Sequence, residues 1–116
     1  MTELGNFAEV AAEEPFAGVS KRSFDSAGAT VSEYRFEPGA TFPLHRHDQE
    51  QITVVESGEL RMTIGGEEHE LPAGGWSVVA GGVEHGITAG AAGARFLAVV
   101  VPRRGASDEF EVSDDG

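Results

Sequence analysis

Three histidines and a glutamine carry the chemistry open to this chain. The stretch GATFPLHRHDQEQITVVESG, from Gly39 to Gly58, holds His45 and His47 one residue apart, with Gln51 four positions beyond. In an extended strand alternate side chains share a face. Pro43, His45 and His47 are therefore expected to point one way, and Phe42, Leu44 and Arg46 the other. Two imidazoles so placed come within reach of a single ion, although a solvated strand end would look the same. A tight turn after His47 would return Gln51, Thr53 and Val55 to that face. Glu50 is the rival ligand, because a carboxylate suits hard cations better than an amide does. It is out of phase with Gln51, so only one of the two can face in. His85, after Gly81-Gly82 and before a new apolar run, supplies a third imidazole from across the fold. His69 stands among Glu67, Glu68 and Glu70 beyond a turn and reads as a surface residue.

The elements that must position these groups are short strands. Phe16 to Val19, Val31 to Phe36, Phe42 to His47, Gln51 to Glu56, Leu60 to Ile64, Trp76 to Val79, Val83 to Thr88 and Phe96 to Val101 are each brief and rich in β-branched or aromatic residues. Turn residues separate them: Pro38-Gly39, Ser57-Gly58, Gly65-Gly66, Gly74-Gly75 and Gly81-Gly82. Such spacing, with no long helical period, predicts an all-β sandwich or barrel. Residues 1–15 read as an arm, 16–104 as the domain, and 105–116 as an acidic tail that Phe110 and Val112 could dock. Phe36, Phe42, Phe96 and Trp76 are expected in the core. The run Phe96, Leu97, Val99, Val100, Val101 suggests burial on both faces of the last strand.

Composition narrows the partners. The chain has 116 residues, with 20 acidic and 8 basic side chains, a formal charge of −12 and no cysteine. A single domain of this size needs neither disulfide nor metal to fold. Lack of cysteine excludes thiolate ligands and thiol catalysis. The charge argues against nucleic acid and against anionic membranes. No apolar run approaches the ~20 residues of a membrane span and no secretory leader is evident, so a cytoplasmic location is expected. Lys21 is the only lysine, a pattern expected of a salt-adapted source or of a GC-rich genome.

The spacing of these residues resembles a known family. Gly39-x5-His45-x-His47-x3-Gln51-x6-Gly58 is similar to the first cupin motif, and Gly74-x5-Ala80-x-Gly82-x2-His85 to the second. The resemblance covers residues 16–104. It implies a cupin β-barrel, a double-stranded β-helix or jelly roll. It also implies that His45, His47, His85 and the residue at position 51 ligate a metal. The chain departs from the pattern at Gln51 (usually Glu), Ala80 (usually Pro) and Ala89 (usually Asn).

Gln51 bears on the reaction. Three imidazoles and an amide leave a divalent ion its full charge, which favours Lewis-acid chemistry over higher oxidation states. Ligands of this kind suit Ni, Zn, Mn, Fe or Co. The string His-x-His-x-x-Glu-Gln resembles the cupins that help open unsaturated uronate rings in pectin breakdown. Those carry an Asp and a Phe in the last strand; aligned on Pro102, these positions are Ala98 and Val100, and only Arg104 or its neighbour Arg103 survives. Arg104 and Glu50 are accordingly the catalytic candidates, with Arg35 or Tyr34 at the rim. The resulting expectation is a metal-dependent isomerase or lyase acting on a small sugar-acid or carbonyl compound. A metal-dependent dioxygenase and a non-catalytic ligand- or metal-binding module are the alternatives. Cupins of this size commonly pair, so a homodimer is expected.

Overall fold

The computed structural model describes residues 2–105 and 110–112, and within them the chain is almost wholly strand. Its strands are β1 (Glu13–Phe16), β2 (Val19–Asp25), β3 (Thr30–Phe36), β4 (Thr41–His47), β5 (Glu50–Ile64), β6 (Glu67–Pro72), β7 (Trp76–Val79), β8 (His85–Val101) and β9 (Phe110–Val112). A short 3-10 turn at Phe7–Glu9 is capped by Asn6, whose side chain accepts from the Ala8 N–H at 2.8 Å. No described helix is long and apolar enough to cross a membrane.

All the pairings are antiparallel, and β5 and β8 are shared by two sheets that form a jelly roll. The front sheet runs β1-β2-β3, then the second half of β8, the first half of β5, and β7 at the edge. The rear sheet runs β9-β4, the first half of β8, the second half of β5, and β6. Register breaks in the β5–β8 ladder at Val55/Ser57 and Gly58/Leu60 mark the bend between sheets. Gly58 takes φ +73 there, and a Cβ on it would collide with the Gly93 carbonyl. Only glycine lets the two long strands cross so closely.

The strands are fewer and longer in this region than their spacing suggests. Gln51–Glu56 and Leu60–Ile64 are two halves of one strand, because Ser57-Gly58 makes a bulge rather than a turn. Both β2 and β6 (sequence EEHELP) escaped notice, since their polar residues mask the alternation. Pairing supplies what propensity lacks: β2 matches β3 residue for residue and β6 matches β5.

Two further expectations are corrected. Phe42 does not point away from His45; a register shift between them turns both inward, with ring centroids 4.6 Å apart. Trp76 is not core. It is 67% exposed, because its partner Val54 lies on the outer face while Ser77 and Val79 turn inward. Phe36, Phe42 and Phe96 are buried as expected, around Tyr34, Leu60 and Met62. Full burial of a side chain such as Phe96 stabilises by about 1.5–3 kcal/mol. Backbone pairing ties β9 to His45–His47 on β4. The remainder of the tail lies outside the described residues.

Candidate metal centre

One end of the barrel is apolar; the other is lined by buried polar groups. His45 and His47 come from the end of β4, Gln51 from the start of β5, and His85 from the start of β8. All four are buried, and one ring nitrogen from each of the three histidines lies within 4.8 Å of the others. Asp48 and Gln49 form the tight connection that swings Gln51 back beside His47. Motif-two glycines bring in His85. A Cβ on Gly81 would collide with the Asp48 carbonyl, and the Gly82 N–H donates to the His47 carbonyl at 2.8 Å. The two ligand-bearing loops are thereby stitched together.

Hydrogen bonds fix which nitrogen of each ring carries the proton. His45 Nδ1 lies 2.9 Å from the Pro43 carbonyl, His47 Nδ1 3.0 Å from the Gln49 carbonyl, and His85 Nδ1 2.9 Å from the Val83 carbonyl. A carbonyl oxygen only accepts, so every Nδ1 carries the hydrogen and the Nε2 of each neutral ring is left as an acceptor. The Gln51 amide is oriented likewise: its Nε2 donates to Thr53 Oγ1 at 3.2 Å, which aims Oε1 at the imidazoles. Oε1 stands 3.2 Å from His47 Nε2 and 3.3 Å from His85 Nε2. Lone pairs thus face lone pairs in a buried space, an arrangement that repels unless a cation lies between them. Donors about 2.1 Å from one ion stand about 3.0 Å apart at a right angle and about 3.4 Å at the tetrahedral angle. The two Gln51 spacings lie between those limits, and one ring nitrogen of His45 is within 4.8 Å of those of His47 and His85, so the cluster fits a divalent ion.

Electrostatics keep the rings ready. Burial pushes His45 down to about 3, helped by His85, His47 and the Arg104 charge. Burial also lowers His47 and His85, and Arg104 adds to the effect on each. Neutral imidazole is the form that binds metal.

Beside the imidazoles lies a small cavity of about 10 Å³, lined by Tyr34, Phe42, His45, Gln51, Ile87, Phe96 and Arg104. Arg104 is held by its backbone N–H, which donates to Thr30 Oγ1 at 2.8 Å; Thr30 in turn donates to Asp25 Oδ1 at 2.5 Å. Its side chain hydrogen-bonds Tyr34, whose hydroxyl burial pushes above its usual value against the pull of Arg104. Lys21, cross-strand partner of Tyr34, is lowered by burial and by Arg104, while Glu13 at 3.8 Å opposes.

The sequence-predicted residues divide clearly. His45, His47, Gln51 and His85 come together, and Arg104 and Tyr34 adjoin them. Glu50 is exposed on the outer face opposite Val101, and Arg35 is exposed as well, so neither reaches the cavity. His69 is exposed. Lys21 was overlooked; the alternation Val19, Lys21, Ser23 in β2 was the signal. Ala98 lies on the inner wall between Ser32 and Thr53, where a carboxylate would have faced the cavity.

The cupin domain profile matches residues 32–100. The chain belongs to the cupin family. Among solved structures, this cupin is similar to an RmlC-like cupin from Shewanella frigidimarina (TM-score 0.81, 21% identity, covering 90% of this chain and 94% of the other). It is similar to KdgF from Halomonas sp. (TM-score 0.78, 23% identity, 87% and 96% covered). It also matches one third of the oxalate decarboxylase of Bacillus subtilis (TM-score 0.82, 21% identity, 97% and 34% covered). At these identities the likeness is one of fold. No curated protein sequence matches the chain.

Proposed function

We propose that this cupin is a metalloenzyme of isomerase or lyase type, holding one divalent ion through Nε2 of His45, His47 and His85 and Oε1 of Gln51. The observation that carries the reading is the buried cluster of three imidazoles around the Gln51 amide oxygen, with each Nδ1 hydrogen committed to a carbonyl. Metal identity is open among Ni, Zn, Mn, Fe and Co. A bound divalent ion with no anionic ligand supplies Lewis acidity toward a carbonyl or hydroxyl oxygen.

The chain's own groups suit an anionic, oxygen-rich substrate such as a sugar acid. Arg104 places a guanidinium beside the imidazoles, against the chain's overall −12 charge, and would pair with a carboxylate. Tyr34, kept protonated by burial, can donate a hydrogen bond or proton to a developing oxyanion. Lys21, lowered by burial and by Arg104, stands on the neighbouring strand paired with Glu13 at 3.8 Å. Phe42, Ile87 and Phe96 wall off water from the inner end.

A volume of about 10 Å³ is about one water molecule, so a larger substrate enters only if Arg104 swings aside. That tightness, with Ala98 in place of an acid, favours a second reading: a metal- or small-ligand-binding module without turnover. Titration of chelator-treated protein with Zn, Ni, Mn, Co and anaerobic Fe(II) tests metal binding. One equivalent bound by the wild type and none by a His45→Ala/His85→Ala variant is expected; equal binding by the two would overturn both readings. Assay of the metal-loaded protein and Arg104→Ala against unsaturated uronates and other sugar acids then separates them. Turnover lost in Arg104→Ala supports the enzyme. Oxygen uptake coupled to substrate by the Fe(II) form would instead favour a dioxygenase.

A further inference from the structure

A second cavity, of about 590 Å³, lies where the N-terminal arm meets the β2–β3 hairpin, and none of the candidate metal ligands lines it. Its size is within the range of ligand pockets, about 300–1,000 Å³. Leu4, Phe7, Val10 and Phe24 form its apolar part, and Glu3 and Asp25 add two carboxylates. No lysine or arginine lines it, and neither carboxylate joins an ion pair among the described residues. Two negative charges thus border an apolar cavity without a countercharge. Local bonds hold the walls. Phe7 packs against Phe24 with ring centroids 5.5 Å apart, and Asn6 caps the turn that carries Phe7. Ser26 Oγ accepts from the Ala29 N–H at 3.0 Å and fixes the hairpin tip. Asp25 is oriented by Thr30, which donates to its Oδ1.

We propose that this cavity binds a small organic cation with an apolar body, and that the bound cation acts on Arg104. Charge and aromaticity select that ligand. A ligand that covers the two carboxylates must replace their water, and an ammonium group does so with charge-assisted hydrogen bonds. The faces of Phe7 and Phe24 carry the negative side of the ring quadrupole, which attracts a cation and repels an anion. The −12 charge of the chain draws cations to its surface. A neutral apolar compound would gain the ring contacts and leave both carboxylates unpaired, while an inorganic cation would pair them and gain nothing from the apolar wall. Asp25 ties the cavity to the candidate metal site. Thr30 Oγ1 donates to Asp25 and accepts from the Arg104 N–H at 2.8 Å, and Arg104 lines the cavity beside the imidazoles. An ammonium at Asp25 competes with the Thr30 hydroxyl for the carboxylate and so loosens the tether on Arg104, the residue that must move to admit a substrate. By linkage, whatever displaces Arg104 changes the affinity for the cation in return. This inference goes beyond the proposed metal chemistry and does not depend on turnover.

Benzylammonium, benzyl alcohol and benzoate share one body and differ in charge, so they serve as probes. Each is titrated into the full chain at low and at high KCl and followed by the backbone-amide NMR spectrum. Benzylammonium should shift the amides of Phe7, Phe24 and Asp25 with a dissociation constant of about 1 mM or tighter, at least about 10-fold below that of the alcohol or of benzoate. The Arg104 amide should move along the same binding curve. High KCl should weaken the ammonium and leave the alcohol unchanged. Asp25→Asn keeps an acceptor for Thr30 but removes the charge, and should lose about 10-fold in ammonium affinity. Glu3→Gln, on the exposed arm, should lose less. In Thr30→Val the Phe7 and Phe24 amides should still shift and the Arg104 amide should not. Alcohol or benzoate binding as tightly as the ammonium, or an Arg104 amide that stays still at saturation, would overturn the proposal. So would full ammonium affinity in both carboxylate variants. Glu3→Gln and the three wild-type titrations decide the matter even if Asp25→Asn fails to fold, and the readout is the same whether or not the metal-loaded protein turns over a substrate.

Discussion

The two halves of β5 follow the same alternation with opposite chemistry. From Glu59 to Ile64, Leu60 and Met62 face in while Glu59, Arg61 and Thr63 face out, the ordinary pattern of a half-wet sheet. From Gln51 to Val54, Gln51 and Thr53 are buried while Ile52 and Val54 look outward. Inversion has a cost on both sides. Inside, it removes apolar packing and requires hydrogen bonds for each buried polar group, which Gln51 and Thr53 give one another. Outside, it exposes surface that water disfavours. A chain keeps such a segment where the polar interior holds something. The rear half supplies stability; the front half supplies the candidate metal site.

The contrast can be tested from its largest consequence downward. Metal-free protein should lose stability as pH falls from about 6.5 toward 3, by a total on the order of 4–5 kcal/mol from His45 alone. The sign follows from the depressed native value: the unfolded chain takes up a proton that the buried ring refuses, so stability rises with pH through this window. Urea midpoints between pH 3 and 8 measure it, and a flat profile would mean the polar end is open to water. Leu60→Ala should cost about 2–5 kcal/mol in the same assay, because Leu60 is fully buried in the rear half. His85→Ala should weaken divalent-metal binding at least about 100-fold, or about 2.7 kcal/mol, by calorimetry. Its fold should survive, since the rear core is untouched. Gln51→Glu should tighten metal binding by adding an anionic ligand; no gain would mean that position 51 stays off the ion. Smallest is Thr63→Lys, on the wet face of the rear half, at under about 0.5 kcal/mol. Should Thr63→Lys cost as much as Leu60→Ala, the assignment of inner and outer faces would be wrong.

Much of this was legible beforehand, and for identifiable reasons. His45, His47, Gln51 and His85 could be read because strand alternation and motif spacing are local properties of the chain. The bulge that turns Phe42 inward beside His45 could not, because bulges arise from pairing with a distant strand. Trp76 was misplaced for a related reason: its own strand is four residues long, too short to declare which face is inner. Glu50 and Gln51 remained rivals until β8 set Glu50 opposite Val101 on the outside.

The sequence by itself determined the all-β class, the ligand types and their phase along each strand, because these depend on residue chemistry and a two-residue period. Only the tertiary structure decided that three Nδ1 hydrogens are taken by carbonyls, that Arg104 lines the cavity beside the imidazoles, and that hydrophobic residues of five strands align in one row. Those facts are set by register between strands far apart in sequence, and register emerges only when the whole barrel closes.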